Sequence, residues 1–107
     1  MISERIQNIL DDNGIGYNED FTELEYYTSL GEDFSISLDH DGTDEDFIRE
    51  FTSYAEDFDP EDHAAMYIVN RGKYGIPNSI QDLLTDANEI NEFLERVALE
   101  LHGIKTA

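Results

Sequence analysis

Asp46, Glu50, Ser53 and Asp57 follow one another at spacings of four, three and four residues, which on a helix stands their side chains in one ridge. Carboxylates arrayed in this way accept charge-assisted, often bidentate hydrogen bonds from arginine and lysine, the groups that elsewhere neutralise phosphates. They belong to a larger set. Nineteen carboxylates and a single basic side chain, Arg49, lie between residues 11 and 62, so that this stretch holds nearly all of the net charge of −20. Residues 63–107 carry six acids against four basic residues, an ordinary balance. Such local self-repulsion opposes compaction, and it implies a positive partner. The acids expected to meet that partner are Asp39, Asp41, Asp44, Glu45, Asp46, Glu50, Glu56, Asp57, Asp59, Glu61 and Asp62. A helix over residues 43–58 would be about 24 Å long and carry roughly one charge per 4 Å, against roughly 3.4 Å per phosphate along one DNA strand. With Glu19, Asp20, Glu23, Glu25, Glu32 and Asp33 from the region before it, a bent acidic face imitating two phosphate rows is the expectation.

Other chemistries find less support. Asp39-His40-Asp41-Gly42 with Glu50 places acids at positions one, three and twelve of a calcium loop. However, Asp44 stands where the turn-making glycine belongs, so calcium ranks third among the readings. His40, His63 and His102 form no metal-ligand or triad spacing. Gly14-Ile15-Gly16 has no following helix to make a phosphate cradle. Carboxylate pairs of the glycosidase kind arise by chance in a chain this acidic. No catalytic residue, metal ligand or cofactor is therefore expected, and the chain does not read as an enzyme. Solvated acidic faces that merely keep a protein in solution, or salt adaptation, would spread the charge evenly, and here it is lopsided. Arg71-Gly72-Lys73, the one basic island, reads as a helix end.

The carboxylates need a scaffold, and composition supplies one. The chain of 107 residues is 39% hydrophobic, with six Phe and six Tyr, which suits one small domain with a core and argues against disorder. Without cysteine there is no disulfide framework or thiolate site. No apolar run approaches the roughly 18 residues of a membrane helix, and Met1 to Arg5 is followed by no signal-peptide core. A cytoplasmic protein that binds neither membrane nor nucleic acid directly is expected, since both attract Lys and Arg.

Periodicity then places the elements. Ser3 caps a helix over 3–13 with Ile6, Ile9 and Leu10 on one face and Gly14 at its end. From Leu24 the period becomes two: Leu24, Tyr26, Thr28 and Leu30, then Phe34, Ile36 and Leu38. A hairpin over 23–39 turning at Gly31-Glu32 follows, completed by a third strand near Ile15 to Phe21 or by a helix laid on one face. Thr43 with Asp46 opens a helix to Phe58 whose stripe is Phe47, Phe51, Tyr54, Ala55 and Phe58. Asp59-Pro60 starts a short helix through Ala64, Ala65, Tyr67 and Ile68 towards Gly72. Asn78 or Ser79 caps the longest helix, which runs through Ile80, Leu83, Leu84, Ala87, Ile90, Phe93, Leu94, Val97, Ala98 and Leu101 to Gly103. The fold class is α+β. Residues 1–107 make a single domain in which 63–107 act as mainly helical support for the acidic face at 11–62. Tyr27 and Tyr74 stand out as candidate interface anchors.

The run Phe58-Asp59-Pro60-Glu61-Asp62-His63, then Asn70-Arg71-Gly72-Lys73-Tyr74-Gly75-Ile76-Pro77-Asn78-Ser79-Ile80 and the Leu-rich helix, resembles small acidic proteins of phages and conjugative elements of Gram-positive bacteria. The resemblance covers about the C-terminal half and rests on helix punctuation. It implies the anti-CRISPR or anti-restriction class, whose members are often DNA mimics occupying the cationic DNA-binding or PAM-reading groove of a nuclease. The expected partner is thus a basic DNA-binding protein, an RNA-guided or restriction nuclease, in a bacterial host. The runner-up is an interaction module that grips a basic partner through apolar and aromatic surface.

Overall fold

The computed structural model describes residues 2–71 and 80–106. Its first helix, α1 (Glu4–Asp12), buries Ile6 and Leu10. The helix ends as the glycine foretold: Gly14 has φ +70°, its N–H donates to Asp11 O, and Ile15 N–H donates to Leu10 O at 2.9 Å. This doubled C-terminal bonding pattern satisfies carbonyls the helix leaves open and puts Ile15 beside Leu10 in the core. Ser3 sits at the N-cap with extended backbone, yet its hydroxyl makes no capping bond. Its N–H instead donates to Asp44 Oδ1 at 2.8 Å, tying the start of the chain to the next helix.

Three antiparallel strands follow in the spatial order β1-β2-β3: β1 (Gly16–Tyr17), β2 (Glu23–Tyr27) and β3 (Asp33–Ser37). Leu24 pairs with Ile36 and Tyr26 with Phe34, so one face of the hairpin is apolar and faces the helices. The third strand is far shorter than the expected span. After Tyr17 the chain turns, with Phe21 N–H bonding Asn18 O and Phe21 at φ +61°, so only two residues pair with β2. The turn after β2 also differs from expectation. Gly31 N–H bonds Thr28 O and Thr28 N–H bonds Glu32 O, which makes a three-residue loop, Ser29 to Gly31, with Gly31 at φ +94°. Three-residue loops of this kind end in a residue of positive φ, which glycine at position 31 supplies. In consequence Leu30 leaves the inner face for solvent and Glu32 is buried.

The helix α2 (Asp44–Asp57) begins at Thr43, whose hydroxyl accepts from Asp46 N–H, and ends at Phe58, which is already extended. Phe47, Phe51 and Ala55 are buried as the spacing predicts, joined by Ile48, while Tyr54 and Phe58 are half-buried. Asp59 caps α3 (Pro60–Arg71) through its carboxylate, which accepts from Glu61 N–H at 3.0 Å. The expected stripe holds for Ala64, which is buried, but Ala65 is exposed. The expected cap at Asn78 or Ser79, Gly72 with Lys73, and Tyr74 lie outside the described residues. The last helix, α4 (Ile80–Thr106), continues through Gly103 rather than stopping there. A glycine inside a helix costs about 1 kcal/mol relative to alanine, which the packing of the preceding turns outweighs.

α4 is the common wall. Its Ile90, Phe93, Leu94, Val97, Ala98 and Leu101 share one core with α1, the sheet and α2. Phe93 stacks on Tyr26 at 4.0 Å between centroids and meets the edge of Phe34 at 6.3 Å. A smaller cluster, Ala64 with Leu83 and Ala87, joins α3 to α4.

Candidate functional site

The eleven predicted carboxylates fall into two groups. Five hold the backbone or another charge. Asp41 accepts from the Thr43 amide at 2.9 Å and from the Thr43 hydroxyl at 2.6 Å, and these bonds hold its carboxyl below the usual range, the hydroxyl contributing most. Asp44 holds Ser3, and Asp59 caps α3. Asp46 is the most committed. One of its oxygens accepts from Asp41 N–H at 2.8 Å and the other pairs with Arg49, leaving its side chain 13% exposed. The same guanidinium approaches Glu50 at 3.6 Å. The ridge of Asp46, Glu50, Ser53 and Asp57 is therefore open only at its C-terminal end. Spacing located the ridge but not its tenants, because the reach-back from Asp46 to Asp41 depends on how the loop before α2 folds.

The other six, Asp39, Glu45, Glu56, Asp57, Glu61 and Asp62, carry side chains that make no hydrogen bond or ion pair to a described residue. All six are exposed. Glu45 and Glu56 lie with Arg49 and Thr52 on a second ridge of α2. Asp57 and Asp62 converge with the capping Asp59 around a shallow depression of about 340 Å³, floored by Tyr54, Phe58 and His63 and edged by Met66. Carboxylates over an aromatic floor suit a guanidinium or ammonium, which gains from both the charge and the ring faces.

Behind this surface lies an ionisable cluster that the sequence reading missed. His63 Nε2 donates to Glu32 Oε2 at 2.6 Å, with His63 packed edge-on against Phe34. Next to it Asp86 is 1% exposed, and neither of its oxygens reaches a hydrogen-bond partner in acceptable geometry. Burial pushes the Asp86 carboxyl above its ordinary range; the Thr28 hydroxyl works against the shift, and the charges of Glu32 and Glu89 add to it. Glu89 accepts from Tyr26 Oη at 2.9 Å and from Ser29 N–H at 3.1 Å. Burial alone would raise its carboxyl, but those bonds outweigh it and hold Glu89 low. The hairpin turn is thus fastened to α3 and α4 by acids. Two signals in the sequence mark them: Glu32 continues the inward alternation of Phe34, Ile36 and Leu38, and Asp86 stands three residues after Leu83 and four before Ile90.

His40, which belongs to no metal-ligand or triad spacing, is a clamp. Gly42 N–H donates to its Nδ1 at 3.0 Å, so the proton sits on Nε2, which donates to Phe21 O at 2.8 Å. It therefore holds the one non-glycine residue with positive φ among the described residues. Among the described residues no group of three or more His, Asp or Glu is arranged to hold a metal ion. Asp41 of the calcium-like run already serves Thr43.

Compared with protein-family models, curated proteins and solved structures, the chain matches none of them. No described helix is long and apolar enough to cross a membrane. Function is therefore read from the surface itself.

Proposed function

We propose that the protein is a stoichiometric inhibitor that imitates DNA and occupies the cationic DNA-binding groove of a nuclease, of the RNA-guided or restriction kind. The observation that carries this reading is the set of six exposed carboxylates whose side chains have no partner among the described residues, five of them mounted on α2 and α3, with Arg49 already engaged by Asp46 and Glu50. Size supports it. The molecule measures 44 × 23 × 22 Å, and a duplex 44 Å long carries about 26 phosphates, comparable with the net charge of −20. Binding would pair these acids with Lys and Arg that otherwise neutralise phosphates, and steering would make association fast.

The test is competition with duplex DNA for an RNA-guided nuclease and for a restriction nuclease, each at low and high salt. The variant carries Asp39→Asn, Glu45→Gln, Asp57→Asn, Glu61→Gln and Asp62→Asn together. It is expected to lose at least tenfold in inhibition, about 1.4 kcal/mol, and to show a flatter salt dependence. Equal inhibition by the variant overturns the reading. A second reading, an interaction module gripping a basic partner through aromatic surface, draws on Tyr27, which is 63% exposed at the hairpin tip beside the exposed Leu30. There, Tyr27→Ala would abolish binding and charge neutralisation would not.

A further inference from the structure

The six open acids leave one feature of the surface unexplained. Between α2 and α4 runs a groove of about 500 Å³ whose lining includes Ala55, Phe58, Ala98 and Leu99, with Glu56 on the α2 bank and Glu95 on the α4 bank. Leu99 is 74% exposed, the most exposed large hydrophobic side chain among the described residues. A surface whose whole task was to imitate phosphates would have no use for it. On α4 the groove extends from Asn91 to His102, about 16 Å at the helical rise, or three turns. A hydrogen bond of 3.3 Å between Thr52 Oγ1 and His102 Nε2 spans its far end.

We propose that this groove seats a basic amphipathic helix of the partner protein. The occupant would lay apolar side chains spaced three and four residues apart on Phe58, Ala98 and Leu99, and pair flanking Lys or Arg with Glu56 and Glu95. Among the described lining residues there is no lysine or arginine to repel such a helix. Charge also selects against other occupants: a second copy of this chain would set its own Glu56 and Glu95 against these banks, and nucleic acid brings phosphates. A basic helix on an apolar floor between two acidic banks is the complementary ligand. The proposal rests on the reading of a basic partner and adds which element of that partner is held.

A fluorescein-labelled peptide of fourteen Leu and Lys residues, with all leucines on one helical face, is the probe. Its control has the same residues in an order that leaves no apolar face. The ordered peptide is expected to bind at least tenfold more tightly than the shuffled one. Leu99→Ser and Glu95→Gln should each weaken it three- to tenfold, and amide shifts should gather at residues 52–58 and 91–102. Both positions are exposed, so folding is preserved, which circular dichroism checks. Equal binding of the two peptides, or no loss with Leu99→Ser, overturns the proposal. So does a concentration-dependent mass in sedimentation that Leu99→Ser abolishes, since the groove would then be a self-association face. Neither variant belongs to the neutralised set used in the nuclease competition. Failure here with intact competition therefore refutes the groove and leaves the carboxylate reading standing, and the reverse result does the opposite.

Discussion

Asp86 is a buried carboxyl whose oxygens lack a well-formed hydrogen bond, set beside two further acids. Because its folded pKa is raised, the native state binds the proton more tightly than the unfolded chain does. The stability this gives is fully present below the ordinary carboxyl pKa of about 3.9 and is lost as pH rises through the raised value. Asp86→Asn should thus stabilise the protein at neutral pH, because the amide has no charge to desolvate. The advantage should shrink towards nothing as pH falls to the ordinary carboxyl range, as urea denaturation at several pH values would show. A gain that is the same at every pH would mean that Asp86 carries no charge penalty. His40 makes the opposite case, a polar side chain with both nitrogens satisfied. His40→Ala removes two bonds to backbone and releases Phe21, and a loss of about 1 to 3 kcal/mol in unfolding free energy is expected. The loss should appear without any change in the charge of the acidic face.

At the scale of elements, the hydroxyl of Thr43 is the hinge between loop and helix. Thr43→Ala should cost about 1 kcal/mol, read from the denaturation midpoint. It should also leave Asp41 with the amide bond alone, since its carboxylate loses the hydroxyl that donates to it. Phe93→Ala, by contrast, opens the contact between sheet and α4 and should cost about 3 to 5 kcal/mol. These two also mark what sequence makes legible. The stripe containing Phe93 could be read from period alone, because a helix 27 residues long repeats its pattern many times over. Thr43 with Asp46 was legible as a cap because the spacing is local. What could not be read were relations that fold two segments together. The reach of Asp46 to Asp41 is one of these, and His40 on Phe21 and His63 on Glu32 are others. The two-residue β1 was overestimated for the same reason, since the left-handed Phe21 that ends the strand region is held by His40 from 19 positions away. Of the candidate site, residue types and spacing identified the acids, and only the folded geometry separated those serving as caps from those left open.

For the whole molecule the acidic half is under self-repulsion that ionic strength relieves. At 0.1 M salt the screening length is about 10 Å, and at 1 M about 3 Å. The thermal midpoint should therefore rise steadily with sodium chloride at neutral pH, while the protein stays folded at ordinary ionic strength. A chain that unfolds below molar salt would instead be salt-adapted. The burial of α4 carries a further consequence. Ile90, Phe93, Leu94, Val97 and Leu101 pack in the same core as Ile6, Leu24, Phe34 and Phe47, so the charged elements own only part of the wall they fold against. A chain stopped short of α4 would therefore leave Ile6, Leu24, Phe34 and Phe47 without one side of their core, and the acidic face would stand on a scaffold missing the wall that steadies it.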